Sequence, residues 1–192
     1  MSFERIEILY SYLYADLGRP RDIKQIDPRT IGLLETQFGY TDPKLLGRGS
    51  FGTVIRFKRP EGGEDIAIKC LSPKDVREGE KKLWIKLRHP NLVTLLDANV
   101  CLPLNVVCFE MRAFPKDLMS AVQENEYLKS PLALQQLKIW LYQVLCGLNF
   151  LHNTELCHLD LKPDNVLISR WTSRAMIGDF SCLSQKPSKI KR

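Results

Sequence analysis

The sequence predicts an α+β fold in which a small antiparallel sheet precedes a mainly helical part. Residues 53–59 alternate polar and apolar side chains directly after a glycine-rich turn. Residues 65–71 repeat that strand character after a second turn at Glu61-Gly62-Gly63. Residues 132–152 instead space their apolar positions three and four apart, as a long helix does. With 28 Lys+Arg, 22 Asp+Glu and 44% hydrophobic residues over 192 positions, the chain is neither disordered nor collagenous. It is long enough to bury a core without a disulfide or metal staple.

The elements follow in order. Phe3, Ile6, Leu9, Tyr10, Leu13 and Leu17 mark an amphipathic helix that Gly18 and Pro20 stop. A second, short helix is predicted over 28–37, with Asp27 as cap and Pro28 in its first turn. Strands are expected at 44–46, 53–59 and 65–71, three in a row and antiparallel. Ser72-Pro73 opens a helix expected to run to about residue 88, with Val76, Leu83, Trp84 and Leu87 as its buried stripe. A strand pair is expected at 93–100 and 105–110, before the helix of 132–152.

Charge and cysteine content limit the setting. No run of about 18 apolar residues exists, so no membrane partner is expected. The charged start, Met1-Ser2-Phe3-Glu4-Arg5, lacks the apolar stretch of a secretory signal, which points to an intracellular, cytoplasmic protein. The six cysteines are irregularly spaced with no Cys-x-x-Cys pair, as expected for reduced, mostly buried thiols rather than a zinc knuckle or a disulfide framework. A formal charge of +6 suits a phosphate-bearing ligand, although a solvated lysine-rich surface explains it equally simply. The run from Lys186 to Arg192 makes the nucleus a second candidate location; a frayed chain end is the better reading of it, and nucleic acid is the less favoured partner.

Four segments carry chemistry. Gly47-Arg48-Gly49-Ser50-Phe51-Gly52-Thr53-Val54 matches G-x-G-x-x-G-x-V, and the β-branched residues after it put the glycines at a hairpin tip rather than at a helix start. Such a tip closes over phosphates, with Val54 as an apolar cover for a base. In Ile66-Ala67-Ile68-Lys69 the alternation turns Ala67 and Lys69 to one face. An ammonium there needs an anion, and nucleotide phosphates or Glu80 can supply it, Glu80 lying within the apolar stripe of its predicted helix. Glu78 is a rival turned away from that stripe. In the stretch His158-Leu159-Asp160-Leu161-Lys162-Pro163-Asp164-Asn165, Asp160 can accept a hydroxyl proton, Lys162 can neutralise a moving phosphoryl group and Asn165 can ligate a metal. Asp179, past the apolar Val166-Leu167-Ile168, offers a second hard oxygen ligand of the kind that suits Mg²⁺.

Together these segments, in this order and at this spacing, resemble the eukaryotic-type protein kinase family over roughly residues 44–185. The resemblance implies a two-lobed fold. Residues 1–40 would be a helical extension, 41–112 the small sheet lobe with one helix and a hinge, and 113–192 an incomplete, mainly helical large lobe with the catalytic loop and the basic tail. It implies ATP and Mg²⁺ as cofactors and a protein substrate phosphorylated on serine or threonine, the subclass that Lys162, two residues after Asp160, resembles. Glu80 would pair with Lys69. Phe109 would guard the back of the pocket, the backbones of Glu110 and Arg112 would bond adenine, and Leu167 and Ala67 with Val54 would sandwich the base.

Three departures temper this. Leu159 replaces the usual arginine of His-Arg-Asp, so control by activation-loop phosphorylation is not expected. Ser181 replaces the glycine of Asp-Phe-Gly, narrowing the backbone freedom of that turn while keeping Asp179. No Ala-Pro-Glu segment follows, so the chain reads as a truncated kinase, either a fragment or a natural form. Trp140, Leu141 and Leu148 are then expected to lack part of their cover and to need another kinase or a covering partner. The alternative function is a weak or inactive kinase-like module that binds ATP or a partner kinase and regulates it.

Overall fold

A computed structural model describes residues 28–185 apart from 50, 51, 61, 78, 125–129 and 171. The predicted helix over 3–17, the Asp27 cap, Ser50, Phe51, Glu61, Glu78 and the basic run 186–192 lie outside the described residues. The chain divides into two compact units, one of residues up to Val76 with Leu95–Ala113, the other of Arg77–Thr94 with the residues from Phe114 onward.

The first unit is a helix on a sheet. Helix α1 (Pro28–Phe38) starts on a proline, whose missing N–H costs a helix nothing in its first turn. Its Ile31, Leu34 and Phe38, three and four apart, meet a core of Ile55, Phe57, Ile66, Ile68, Cys70, Val106 and Cys108. Burying Leu34 in that core contributes roughly 1.5–3 kcal/mol over leaving it in water. The sheet is antiparallel, in the order β1-β2-β3-β5-β4: β1 (Thr41–Gly49), β2 (Gly52–Lys58), β3 (Ile66–Leu71), β4 (Asp97–Cys101) and β5 (Val106–Arg112). In β2 the predicted alternation is present, with Thr53, Ile55 and Phe57 buried, Gly52, Val54 and Arg56 half-buried and Lys58 exposed. Every residue of β3 is buried, because it runs centrally with both faces covered. At the hairpin tip Gly52 has φ +99°, and a Cβ there would meet the Cys70 carbonyl at 2.7 Å, so only glycine fits.

The helix expected over 73–88 is not continuous. The chain makes a 3₁₀ turn at Pro73–Asp75, a π-type turn at Gly79–Leu83 and a 3₁₀ turn at Trp84–Lys86. Tertiary contacts within the second unit explain the break. The Gly79 backbone is pressed against the carbonyls of Phe180 and Leu183, where any side chain would collide. Trp84 donates its indole N–H to the Val93 carbonyl at 2.9 Å and packs on Phe180 with ring centroids 5.7 Å apart. Local helix preference, weakened by glycine, gives way to these.

The rest of the second unit is built on one long helix and short ladders. After β6 (Lys116–Asp117), helix α2 (Leu118–Gln123) starts where Asp117 accepts the Ser120 N–H at 2.7 Å; the sequence had suggested no helix there. Helix α3 (Ala133–Asn153) matches the predicted long helix to within a residue at each end. Its inner stripe is Trp140, Val144, Gly147 and Leu151. Trp140 therefore corrects the expectation of an uncovered residue: it is buried, with its indole N–H on the Ser173 carbonyl at 2.7 Å. Leu141 is exposed and Leu148 half-buried, as expected, and Leu134, Tyr142 and Leu145 extend the exposed apolar face. Strands β7 (Leu156–Cys157), β8 (Val166–Ile168), β9 (Ala175–Ile177) and β10 (Ser184–Gln185) follow, β6-β8-β9 forming one antiparallel ladder and β7-β10 another. All six cysteines are free, Cys70 and Cys108 fully buried and the other four half-buried. Among the described residues, no helix is long and apolar enough to cross a membrane.

Candidate active site

In the first unit the strand register decides which side chains share a face. Val54 lies opposite Lys69, and Lys69 opposite Phe109, so the three form one row across β2, β3 and β5. Ala67 and Met111 form the next row on that face. Lys69 is only 6% exposed and Phe109 fully buried, which makes this lysine a buried ammonium rather than one that reaches out to water. Gly47 and Gly49 lie in β1 opposite Val54 and Gly52, closing the hairpin whose tip carries the glycine motif; Arg48, between them, pairs with Thr53.

The opposite face holds the side chain of Glu110. Its carboxylate accepts the Tyr40 hydroxyl at 2.7 Å and the Arg59 guanidinium at 3.0 Å. Burial first, and then the bond to Glu110, push the Tyr40 phenol above its ordinary value. The Glu110 backbone carbonyl takes the Leu96 N–H at 2.8 Å, which leaves it a second lone pair. Arg112 ends β5, its guanidinium paired with Glu64 at 3.0 Å. Nothing along the chain signals the Tyr40–Glu110–Arg59 cluster, because the three residues come together only through strand pairing.

In the second unit the acidic and amide groups gather around the turns that flank β8 and β9. Asp160 receives two donors on one oxygen: Lys162 Nζ at 3.0 Å and Asn165 Nδ2 at 3.1 Å. Asn165 Nδ2 also donates to the Asp160 backbone carbonyl at 2.8 Å. The Asn165 carbonyl in turn accepts the Gly178 N–H at 2.8 Å, so Asn165 and the residue before Asp179 are tied together. The hairpin pairing Val166 with Ile177 brings them to this position. Leu167, half-buried on β8, lies beside Gly178. Asp179 adopts a left-handed backbone, φ +55°, and its side chain accepts the Ser181 N–H. Ser181 keeps negative φ inside a 3₁₀ turn, so a serine fits where the family pattern has glycine. Leu159 does not fit so easily: it is 70% exposed at φ +63°, a conformation that costs a non-glycine residue about 1–2 kcal/mol.

His158, to which sequence reasoning assigned no part, links these pieces. The ring is buried, Nδ1 accepting the Asp160 N–H at 3.4 Å and Nε2 facing the Gly178 carbonyl at 2.9 Å. A backbone N–H only donates and a carbonyl only accepts, so the neutral tautomer with its proton on Nε2 satisfies both. The His-x-Asp spacing was its one trace in the sequence. Glu80 is buried in this unit, at 2% exposure.

The bond from Lys162 is the main cause holding the Asp160 carboxyl below the usual range, with partial burial and the Asp179 carboxylate opposing it. Lys162 is raised in return, chiefly by the same bond. Asp160 is thus ionised at neutral pH. Since the folded chain binds its proton less tightly than the unfolded chain, its stabilising contribution is complete above about pH 3.9 and is lost as pH falls through the lower folded value. Lys162→Met is expected to move the Asp160 titration up toward the ordinary carboxylate range. Carboxyl NMR against pH checks this, and an unmoved titration would rule out Lys162 as the cause.

Asn165 and Asp179 supply hard oxygens of the type that magnesium takes while keeping most of its waters. The Asn165 amide nitrogen is spent on Asp160, which leaves Oδ1 for a cation. Among the described residues no group of three or more His, Cys, Asp or Glu forms a closed metal cage, and a water-rich magnesium site requires none.

Comparison with known proteins identifies the family. The family model for the protein kinase domain matches residues 40–191. Glycogen synthase kinase 1 of Pyricularia oryzae is 30% identical over 149 residues, covering 73% of this chain and 37% of that protein. Protein kinase gsk3 of Schizosaccharomyces pombe is 29% identical over 152 residues, covering 75% of this chain and 38% of that protein. The chain thus spans little more than a third of the length of these curated relatives. With the family model matching most of its residues, the chain belongs to the protein kinase domain family.

Proposed function

We propose that the chain is a serine/threonine protein kinase unit that binds ATP with Mg²⁺ and moves the γ-phosphoryl group to a protein hydroxyl. The family uses ATP, usually with Mg²⁺. The observation that supports this reading most is the hydrogen-bonded set Asp160, Lys162 and Asn165, joined through Gly178 to Asp179. Asp160, ionised, orients the substrate hydroxyl and takes its proton as the phosphorus–oxygen bond forms. Lys162 offsets negative charge on the moving group. Asn165 and Asp179 hold Mg²⁺, which when bound neutralises phosphate oxygens. In the first unit, Lys69 meets nucleotide phosphates; Glu80, the acidic residue that the family resemblance assigns to it, belongs to the second unit. The glycine motif of residues 47–52, with Gly47, Arg48 and Gly49 on β1 and Gly52 on β2, covers the phosphates. Val54 and Ala67 of the first unit contact the base and the backbones of Glu110 and Arg112 bond its edge, while Leu167, the third base residue by the family resemblance, belongs to the second unit. The reaction would run inside the cell, in the cytoplasm, with the nucleus as the second candidate location.

A second reading, a module that binds ATP or a partner kinase and regulates it, draws on the exposed Leu134, Leu141, Tyr142 and Leu145 of α3 and on Leu159 in place of arginine. One experiment separates the two. The 192-residue chain is assayed for a magnesium-dependent thermal shift with ATP and, in parallel, for radiolabel transfer to serine- and threonine-containing proteins. A shift with transfer is expected; a shift without transfer favours the regulator, and neither signal overturns both.

A further inference from the structure

Two thiols that phosphoryl transfer does not use face each other inside the sheet of the first unit. Cys70 on β3 and Cys108 on β5 are direct register partners, and their sulfurs lie 3.4 Å apart. Both are buried, at 3% and 4% exposure, on the face that carries Ile66 and Ile68 and packs under α1. Each is the sequence neighbour of a residue in the Lys69–Phe109 row on the other face. Opposed residues of antiparallel strands hold their Cβ atoms about 4.5–5.5 Å apart, close to the 3.5–4.5 Å that a disulfide needs. Side-chain rotation with a small strand adjustment therefore brings the sulfurs to bonding distance, with no change of register.

We propose that Cys70 and Cys108 are a redox-sensitive pair that hydrogen peroxide converts to a cross-strand disulfide, clamping β3 to β5. One thiolate attacks a peroxide oxygen, the O–O bond breaks, and the products are a sulfenic acid and water once the leaving hydroxide takes up a proton. The second thiolate attacks the sulfenic sulfur, the S–S bond forms, and the hydroxyl leaves as a second water. Two thiols are oxidised and one peroxide is reduced to two waters. The bond to Cys70 and burial keep the Cys108 thiol protonated well above its ordinary range, so the reaction runs through local opening of the sheet. Once formed, the disulfide is sheltered from reductant by the same packing. The link fixes the strand that bears Lys69 to the strand that bears Phe109.

The test uses the full chain. It is oxidised with hydrogen peroxide, its free thiols are alkylated in denaturant, and it is digested without reduction. The expected result is a linked pair of peptides joining Cys70 to Cys108, lighter by two hydrogens than the reduced pair and released by dithiothreitol. Recovery of both residues alkylated after the other cysteines have been consumed would overturn the proposal, as would single sulfinic acids with no linked peptide. With the link in place the thermal unfolding midpoint should rise; an unchanged midpoint would refute the clamp.

Discussion

Asp160→Asn should lower the rate of phosphoryl transfer by roughly 10²–10⁴-fold, the usual contribution of a positioned general base. ATP affinity should stay unchanged, because Asp160 is assigned to the hydroxyl and not to the nucleotide. The substitution keeps the side-chain shape and an oxygen for Lys162, so a loss of folding is not expected to mask the result. Asp160 sits below the ordinary carboxylate range, which makes it a weak base in the resting state. On the proposed function its part would then be to hold the hydroxyl in line and to receive the proton late, as bonding to phosphorus makes that proton acidic. Radiolabel transfer, with a thermal melt as folding control, gives the number. Equal transfer by the wild type and Asp160→Asn would remove the enzyme reading.

Lys69→Met is expected to abolish detectable transfer and to weaken ATP binding by roughly 10- to 100-fold, the loss that follows when a charge-assisted hydrogen bond of about 1.5–3 kcal/mol is removed. Methionine fills a similar volume, so the packing of β3 survives while the ammonium goes. Lys69 is buried in a strand with both faces covered, and such a charge persists only where an anion repays its desolvation. Isothermal titration with ATP and Mg²⁺ measures the change. Undiminished affinity would mean that the ammonium serves the fold and not the nucleotide. The two variants differ in kind: Asp160→Asn separates transfer from binding, whereas Lys69→Met removes both.

Much of the local structure was legible because its signals are local. The turn glycines, the period-two alternation of residues 53–59 and the long 3.6-period helix each specify an element from neighbouring residues alone. The cluster of Asp160, Lys162 and Asn165 was legible for a similar reason, all three lying within six residues of chain. The segment 73–88 was misread, since its periodicity was real but the contacts of Gly79 with Phe180 and Leu183, and of Trp84 with Val93, outweigh helix preference. Trp140 was misread because the partner for its indole, the Ser173 carbonyl, lies 33 residues on. The same limit hid the pairing of Tyr40 with Glu110, 70 residues apart.

By itself, then, the sequence determined the three leading strands and the long helix, the family, and the residue types available for chemistry, since each follows from spacing along the chain. Tertiary structure alone decided that His158 bridges Asp160 and Gly178, that Glu110 turns its carboxylate to Tyr40 and Arg59, and that Cys70 meets Cys108. Those depend on register and on turns that bring distant segments within hydrogen-bond reach. A sequence encodes such meetings only through the whole balance of packing, which no short window of residues contains.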